Sequence, residues 1–178
     1  VALAVLYSLG PLRLSALGLG ELAVGIAFGV LPVCGAAWLQ SGVLDVPVLL
    51  FSIPVSIWVA NILLINEVPD IAADGSTGKR TLPVRIGLAG TAALYLGVNL
   101  AAIAVVCWMT VRGLLPLLAP AVPVLLLLPV LRATAAIRTG VADRPKMTGG
   151  IEATLAVHTV GSLWLTGCAL YIVFFAQG

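Results

Sequence analysis

Apolar residues run unbroken for close to twenty positions several times in this 178-residue chain, and that limits the fold more than anything else in it. Backbone N–H and C=O groups inside a hydrocarbon layer must pair with one another, so only helices and closed barrels cross a bilayer. A transmembrane strand needs about ten residues of alternating character, whereas a helix needs roughly twenty apolar residues in succession. The runs Leu22–Leu39, Val46–Ile65, Leu88–Met109, Leu114–Leu131 and Ile151–Ala176 have helical length and no alternation. The chain reads as an all-α, multi-span transmembrane helical bundle of five spans, preceded by an apolar stub at Val1–Tyr7. Pro116, Pro120, Pro123 and Pro129 fall in the fourth run, and proline removes a backbone donor, so that span should be bent.

Charged residues make up 9% of the chain, against about 25% in a soluble domain. A net charge of +2 offers nothing for nucleic acid to bind; the expected partner is the lipid bilayer. Cys34, Cys107 and Cys168 lie far apart inside apolar runs and read as packing residues rather than ligands or disulfides. The chain starts at Val1 without a methionine, on residues that look like the end of a helix. It is expected to be a single membrane-embedded domain over residues 1–178 with its N-terminal part missing.

Between the runs lie a Gly/Pro loop at Ser8–Glu21, tight turns at Gln40–Asp45 and Thr110–Gly113, and polar loops at Glu67–Gly87 and Arg132–Gly150. Taking the connections alternately, one side collects Arg13, Lys79, Arg80, Arg85, Arg132, Arg138, Arg144 and Lys146, and the other only Arg112. By the excess of bases on the cytoplasmic side of membrane proteins, the long loops face the cytoplasm, the C-terminus faces outward, and the membrane is the cell inner membrane.

The charges are concentrated. Glu67, Asp70, Asp74, Lys79, Arg80 and Arg85 all fall in Asn61–Gly87. Charge near a bilayer centre costs about 2.5–3.5 kcal/mol per group on insertion scales, so such a cluster marks function by default. Asp70 and Asp74 stand four apart, which on a helix puts both carboxylates on one face about 6 Å apart along the axis. Two such carboxylates suit Mg²⁺, which keeps several waters and takes one or two carboxylates plus substrate phosphate oxygens. Pro69 fits the first position of a short new helix, and the long helix before it should break near Val68. Gly75 and Gly78 should end the short one. Asn66 lies four residues before Asp70, across that break. Lys79 and Arg80 follow closely and would neutralise phosphate oxygens, the arginine as a planar fork and the lysine as a point charge. A basic loop that only sets topology is the competing reading of these bases.

This window, N-E-V-P-D-I-A-A-D-G-S-T-G-K-R-T-L-P-V-R-I-G, closely resembles the second Asp-rich motif of the UbiA superfamily of intramembrane prenyltransferases. The earlier Y-S-L-G-P-L-R-L-S-A-L-G-L-G-E, Tyr7 to Glu21, is similar to the loop before the fifth helix in the branch that makes menaquinone and related quinones. The resemblance implies nine helices with two D-x-x-x-D-type motifs in cytoplasmic loops, of which this chain would hold about helices five to nine. It implies Mg²⁺-dependent transfer of a polyprenyl group from a polyprenyl diphosphate to an aromatic acceptor such as 1,4-dihydroxy-2-naphthoate. Asp70 and Asp74 then take the metal-binding and catalytic roles, and Lys79 and Arg80 the diphosphate-binding roles; Arg13, in another loop on the same side, could reach the diphosphate or only set topology. The first Asp-rich motif, N-x-x-x-D-x-x-x-D, is not found in these residues, so the chain alone is expected to be inactive.

Other polar residues lie within the spans. Asn61 could line the substrate cavity, as could Asn66, or bond a neighbouring helix. Asn99 reads as interhelical glue. His158 could serve as a proton base, but reads better as a packed histidine. Trp38 and Trp108 read as interfacial belt, and Trp58 and Trp164 as core. A non-catalytic membrane protein, such as a transporter half or a degenerate diphosphate-binding homologue, is the alternative. Charges confined to loops favour the enzyme, because a transporter should carry polar groups inside several spans.

Overall fold

The computed structural model describes residues 14–175. Among these the regular structure is helical throughout, and four stretches are long and apolar enough to cross a membrane.

The first, α1 (Gly20–Ser41), is widened by a π turn at Ile26–Val30. The cause is local. Pro32 has no N–H to give, and Leu31 reaches back five residues to the Ile26 carbonyl. α2 (Val46–Asn66) is capped by Asp45, whose Oδ1 accepts from Val48 N at 2.9 Å. Pro47 sits in the first turn, where a missing donor costs nothing. The two helices meet at Gly29, where a Cβ would overlap Ser56.

A short helix, α3 (Ile71–Ser76), leads into α4 (Leu82–Val111). α4 is broken at Gly87 (φ 67°, ψ 178°), and Thr91 Oγ1 donates to the Gly87 carbonyl at 2.7 Å. The expected span began at Leu88. The helix begins earlier, at Leu82, because Pro83 starts a helical turn on the near side of the Gly87 break.

The fourth expected span, Leu114–Leu131, is displaced. Residues 112–120 form turns, and helix resumes only as α5 (Ala121–Leu125) and α6 (Leu127–Thr139). Pro116 and Pro120 account for the delay, since each lacks a donor and disfavours helix in the residue before it. The expected polar loop Arg132–Gly150 is also corrected. Residues 132–139 continue α6, a single 3₁₀ turn covers Gly140–Asp143, and α7 runs Arg144–Phe175. Ala133, Thr134, Ala136 and Ile137 form a buried stripe on α6, and burial of that stripe outweighs the two arginines beside it. Ala119 meets Trp164 while Ala136 meets Gly150, so α5–α6 and α7 form an antiparallel hairpin. The stub Val1–Tyr7 lies outside the described residues.

The core consists of Trp58, Ile65, Tyr95, Val106, Met109, Ile137 and Leu165. Tyr95 Oη and Thr154 Oγ1 share a hydrogen bond at 2.8 Å that joins α4 to α7. Asn99, expected between helices, instead donates to Tyr95 O on its own helix at 2.8 Å. At most 33% of each span is buried within the chain, so side chains such as Leu22, Phe28, Leu39 and Phe175 stand outward, which a hydrocarbon surrounding makes harmless. The start of α1, the α2–α4 connection and the Gly140–Asp143 turn share one end of the bundle. Lys79, Arg80, Arg85, Arg138, Arg144 and Lys146 stand at that end. Arg112 stands at the other, stacked over the Trp108 ring at 5.4 Å.

Candidate active site

The charged window folds into a compact cap. α2 ends at Asn66, and Asp70 N and Ile71 N bond to carbonyls three residues back, Glu67 O at 3.2 Å and Val68 O at 3.5 Å. The first four-residue bond is Asp74 N to Asp70 O at 2.8 Å. Asp70 is therefore the N-cap and Ile71 the first helical residue, not Pro69. Gly75 lies within α3, and the helix ends at Ser76 ahead of Gly78, whose φ is +76°.

Asp74 sits in the first turn and turns its carboxylate onto Lys79, whose Nζ donates to Oδ2 at 3.1 Å and Oδ1 at 3.3 Å. The aspartate side chain is 15% exposed and the lysine 38%, so the pair stands half in water. Asp70 and Arg80 are exposed. Arg80 N donates to Ala16 O at 3.1 Å, and Arg85 Nε donates to Arg80 O at 2.8 Å. The first of these bonds joins the loop before α1 to the loop before α4, so the two stretches that carry the family resemblance meet in space. Arg13 lies outside the described residues.

Beneath this cap a narrow cleft of about 100 Å³ opens between α1, α2 and α4. Asn61 lines it; Asn66 is exposed at the helix end and is not among its lining residues. Glu21 lines it too, a residue whose chemistry the sequence left unassigned. Glu21 and Glu67 are both buried, and they lie together despite standing far apart in sequence. Burial first, and then the charge and hydrogen bond of Glu21, push the Glu67 carboxyl up from its ordinary 4.5 to about 8, with Lys79 pulling the other way. A hydrogen bond between two carboxyl groups needs one proton between them. The available signal was an acid at the start of an otherwise apolar helix. His158 lies elsewhere, half-buried on α7 with Nδ1 3.5 Å from Ser162 Oγ. Trp58 is packed against Gly161 in the core.

The Glu67 shift predicts how stability varies with pH. Between about 4.5 and 8 the unfolded chain releases a proton that the folded one keeps, so the native state binds more protons and stability falls as pH rises. Glu67→Gln removes that loss, because its amide can donate to Glu21 at any pH. The variant should match wild type near pH 5 and melt at least about 3 °C higher near pH 9. Parallel melting curves across that range would contradict the assignment.

A family model described as the UbiA prenyltransferase family matches residues 1–155. The chain belongs to this family. With four apolar helices of membrane-crossing length, it is an integral membrane protein. It is 34% identical over 87 residues to 1,4-dihydroxy-2-naphthoate octaprenyltransferase of Haemophilus influenzae, a match covering 49% of this chain and 28% of that relative. It is 34% identical over 94 residues to the Bacillus subtilis protein of the same name, covering 53% and 30%. It is 31% identical over 94 residues to the UbiA prenyltransferase domain-containing protein 1 of Dictyostelium discoideum, covering 53% and 28%. The chain thus matches less than a third of the length of these three UbiA relatives. No solved structure matches it at a significant level.

Among the described residues no three acidic, histidine or cysteine side chains gather into a complete cation shell. The donor set fits Mg²⁺ all the same, because Asp70 is exposed at the cap, Asp74 lies one turn on, and this cation takes only one or two carboxylates alongside phosphate oxygens and water.

Proposed function

We propose that this chain forms the site half of an enzyme that transfers a polyprenyl group from its diphosphate to an aromatic acceptor, 1,4-dihydroxy-2-naphthoate or a similar quinone-ring precursor. The Asp74–Lys79 pair carries the reading: an acid one turn from Asp70, held against a base, with both charges felt by Glu67, the neighbour of the cleft-lining Glu21. The names of the relatives supply the reaction and the acceptor class. Asp70 and Asp74 hold Mg²⁺, which when bound supplies positive charge to the diphosphate oxygens as the allylic C–O bond breaks. Lys79 and Arg80, with Arg13, bind the diphosphate directly. Lys79, now paired with Asp74, would offer its charge to a diphosphate oxygen when Asp74 serves as a metal ligand. Asn61, which lines the cleft, faces the organic part of the substrates. The walls keep water from the allylic cation until the acceptor ring attacks its terminal carbon. The other of the family's two Asp-rich loops, which would complete the metal and diphosphate site, is not found among these 178 residues, and transfer requires it. The charged end faces the cytoplasm from the cell inner membrane, with the C-terminus outside.

The test uses the protein together with that other loop, in membrane vesicles with labelled polyprenyl diphosphate, 1,4-dihydroxy-2-naphthoate and Mg²⁺. Prenylated naphthoate should form, and chelation of Mg²⁺ should stop it. Lys79→Ala should raise KM for the diphosphate about tenfold or more and change kcat less, since a charge-assisted contact made in the ground state is lost. An unchanged KM would remove Lys79 from the site.

A further inference from the structure

The cleft below the cap holds polar atoms that no described residue satisfies. Glu21 is 8% exposed and Asn61 is 3% exposed. Glu21 Oε1 and Asn61 Nδ2, like Oε2 of the neighbouring Glu67, have no hydrogen-bond partner among the described residues, and Glu21 and Asn61 line the cleft. Its other walls are apolar, including Ile57 and Leu64 of α2 and Leu94 and Val98 of α4. A buried polar group without a partner costs about 1–3 kcal/mol, and two of them beside one opening mark a place where a ligand completes the bonding.

The two atoms also state what that ligand is. One is an acceptor and the other a donor. A hydroxyl group meets both at once, giving its proton to Glu21 Oε1 and taking the Asn61 amide proton on its oxygen. A carboxylate has no proton to give and would be repelled by the Glu21 carboxylate. An ammonium has no lone pair for Asn61. The apolar walls suit the edge of a flat ring; the cleft, at about 100 Å³, is smaller than the roughly 150 Å³ apolar cavity that admits benzene, so it takes the hydroxyl-bearing edge of the acceptor and leaves the rest outside. The charges are close by, since Glu67 interacts both with the cleft-lining Glu21 and with Lys79 and Asp74.

We propose that Glu21 and Asn61 form the subsite for a ring hydroxyl of the aromatic acceptor, orienting the ring with its hydroxyl down in the cleft and any carboxylate turned out toward the bases. This rests on the prenyl-transfer reading and adds to it the residues that select the acceptor. The hydrogen bond to Glu21 also raises electron density in the ring, which favours attack by a ring carbon on the prenyl carbon; a new C–C bond forms, the C–O bond to the diphosphate breaks, and the displaced ring substituent departs as a proton or as carbon dioxide.

The experiment compares binding of 1,4-dihydroxy-2-naphthoate with that of 2-naphthoate, which lacks the hydroxyls, by calorimetry on the detergent-solubilised protein against protein-free micelles. Glu21→Met and Asn61→Leu replace buried polar groups by apolar ones of similar size, so both should fold, as melting curves would verify. Wild type should prefer the dihydroxy compound about tenfold or more. Each variant should lose most of that preference while binding 2-naphthoate and polyprenyl diphosphate within about twofold of wild type. A preference retained in both variants overturns the subsite, as does a matching loss of diphosphate binding, which would move Glu21 into the phosphate machinery. Should the preference depend on Glu21 and Asn61 while the complete protein transfers no prenyl group, the subsite stands and the transferase reading falls.

Discussion

Asparagine at position 74 is expected to cut prenyl transfer at least about a hundredfold while leaving the yield of folded protein unchanged. The two halves of that expectation have separate causes. Asn keeps the shape of Asp but not its charge, so the proposed cation would lose one of the two carboxylates assigned to it in this chain. Removing a single fixed electrostatic partner from a reacting centre commonly costs 10²–10³ in kcat. The fold is spared because the lost contact is an ion pair with a lysine 38% exposed, and half-solvated pairs contribute about 0–1 kcal/mol. Turnover of labelled prenyl diphosphate, measured beside the amount of protein extracted from membranes, checks both. Turnover near the wild-type rate would end the assignment of Asp74 as a metal ligand.

The largest effect on stability should come from Gly29→Leu. A Cβ at that position would fall on the Cα and Oγ of Ser56, so the side chain has no space unless α1 and α2 separate. Overpacking of this kind costs about 1–3 kcal/mol. Here it strikes a backbone contact, which relaxes less readily than a side chain, so the upper part of that range applies. Membrane helices are held together largely by such close approaches of small residues. Gly35→Leu is the control on the same helix, because a Cβ there meets nothing within 4 Å. Melting curves should separate the two substitutions by about 4 °C or more. Equal melting would mean that the α1–α2 crossing contributes little.

Much of this was legible in the residues. The spans follow from hydrocarbon length alone, and Asp45 ahead of a proline and an apolar run marked the start of α2. The Asp74–Lys79 pair lies within one short segment, so local sequence brought it forward. The fourth span was misplaced because hydropathy counts proline among greasy neighbours without noting its missing donor. Arg132 and Arg138 suggested a loop, but arginine is a good helix former, and the opposite face of α6 is buried. Glu21 against Glu67 was out of reach, since that contact depends on how α1 crosses α2. Asn99 misled for a related reason: its amide found a carbonyl one turn back on its own helix before any neighbour could offer one.

The elbow at Gly87 carries a further consequence. Its φ of 67° with ψ of 178° belongs to a region that side-chain-bearing residues essentially never occupy. The five residues before it hang from the long shaft by that one joint, and the first of them, Leu82, forms part of the cleft wall. Position 87 has no latitude: any side chain there would swing Leu82 and the segment after Lys79 out of alignment together.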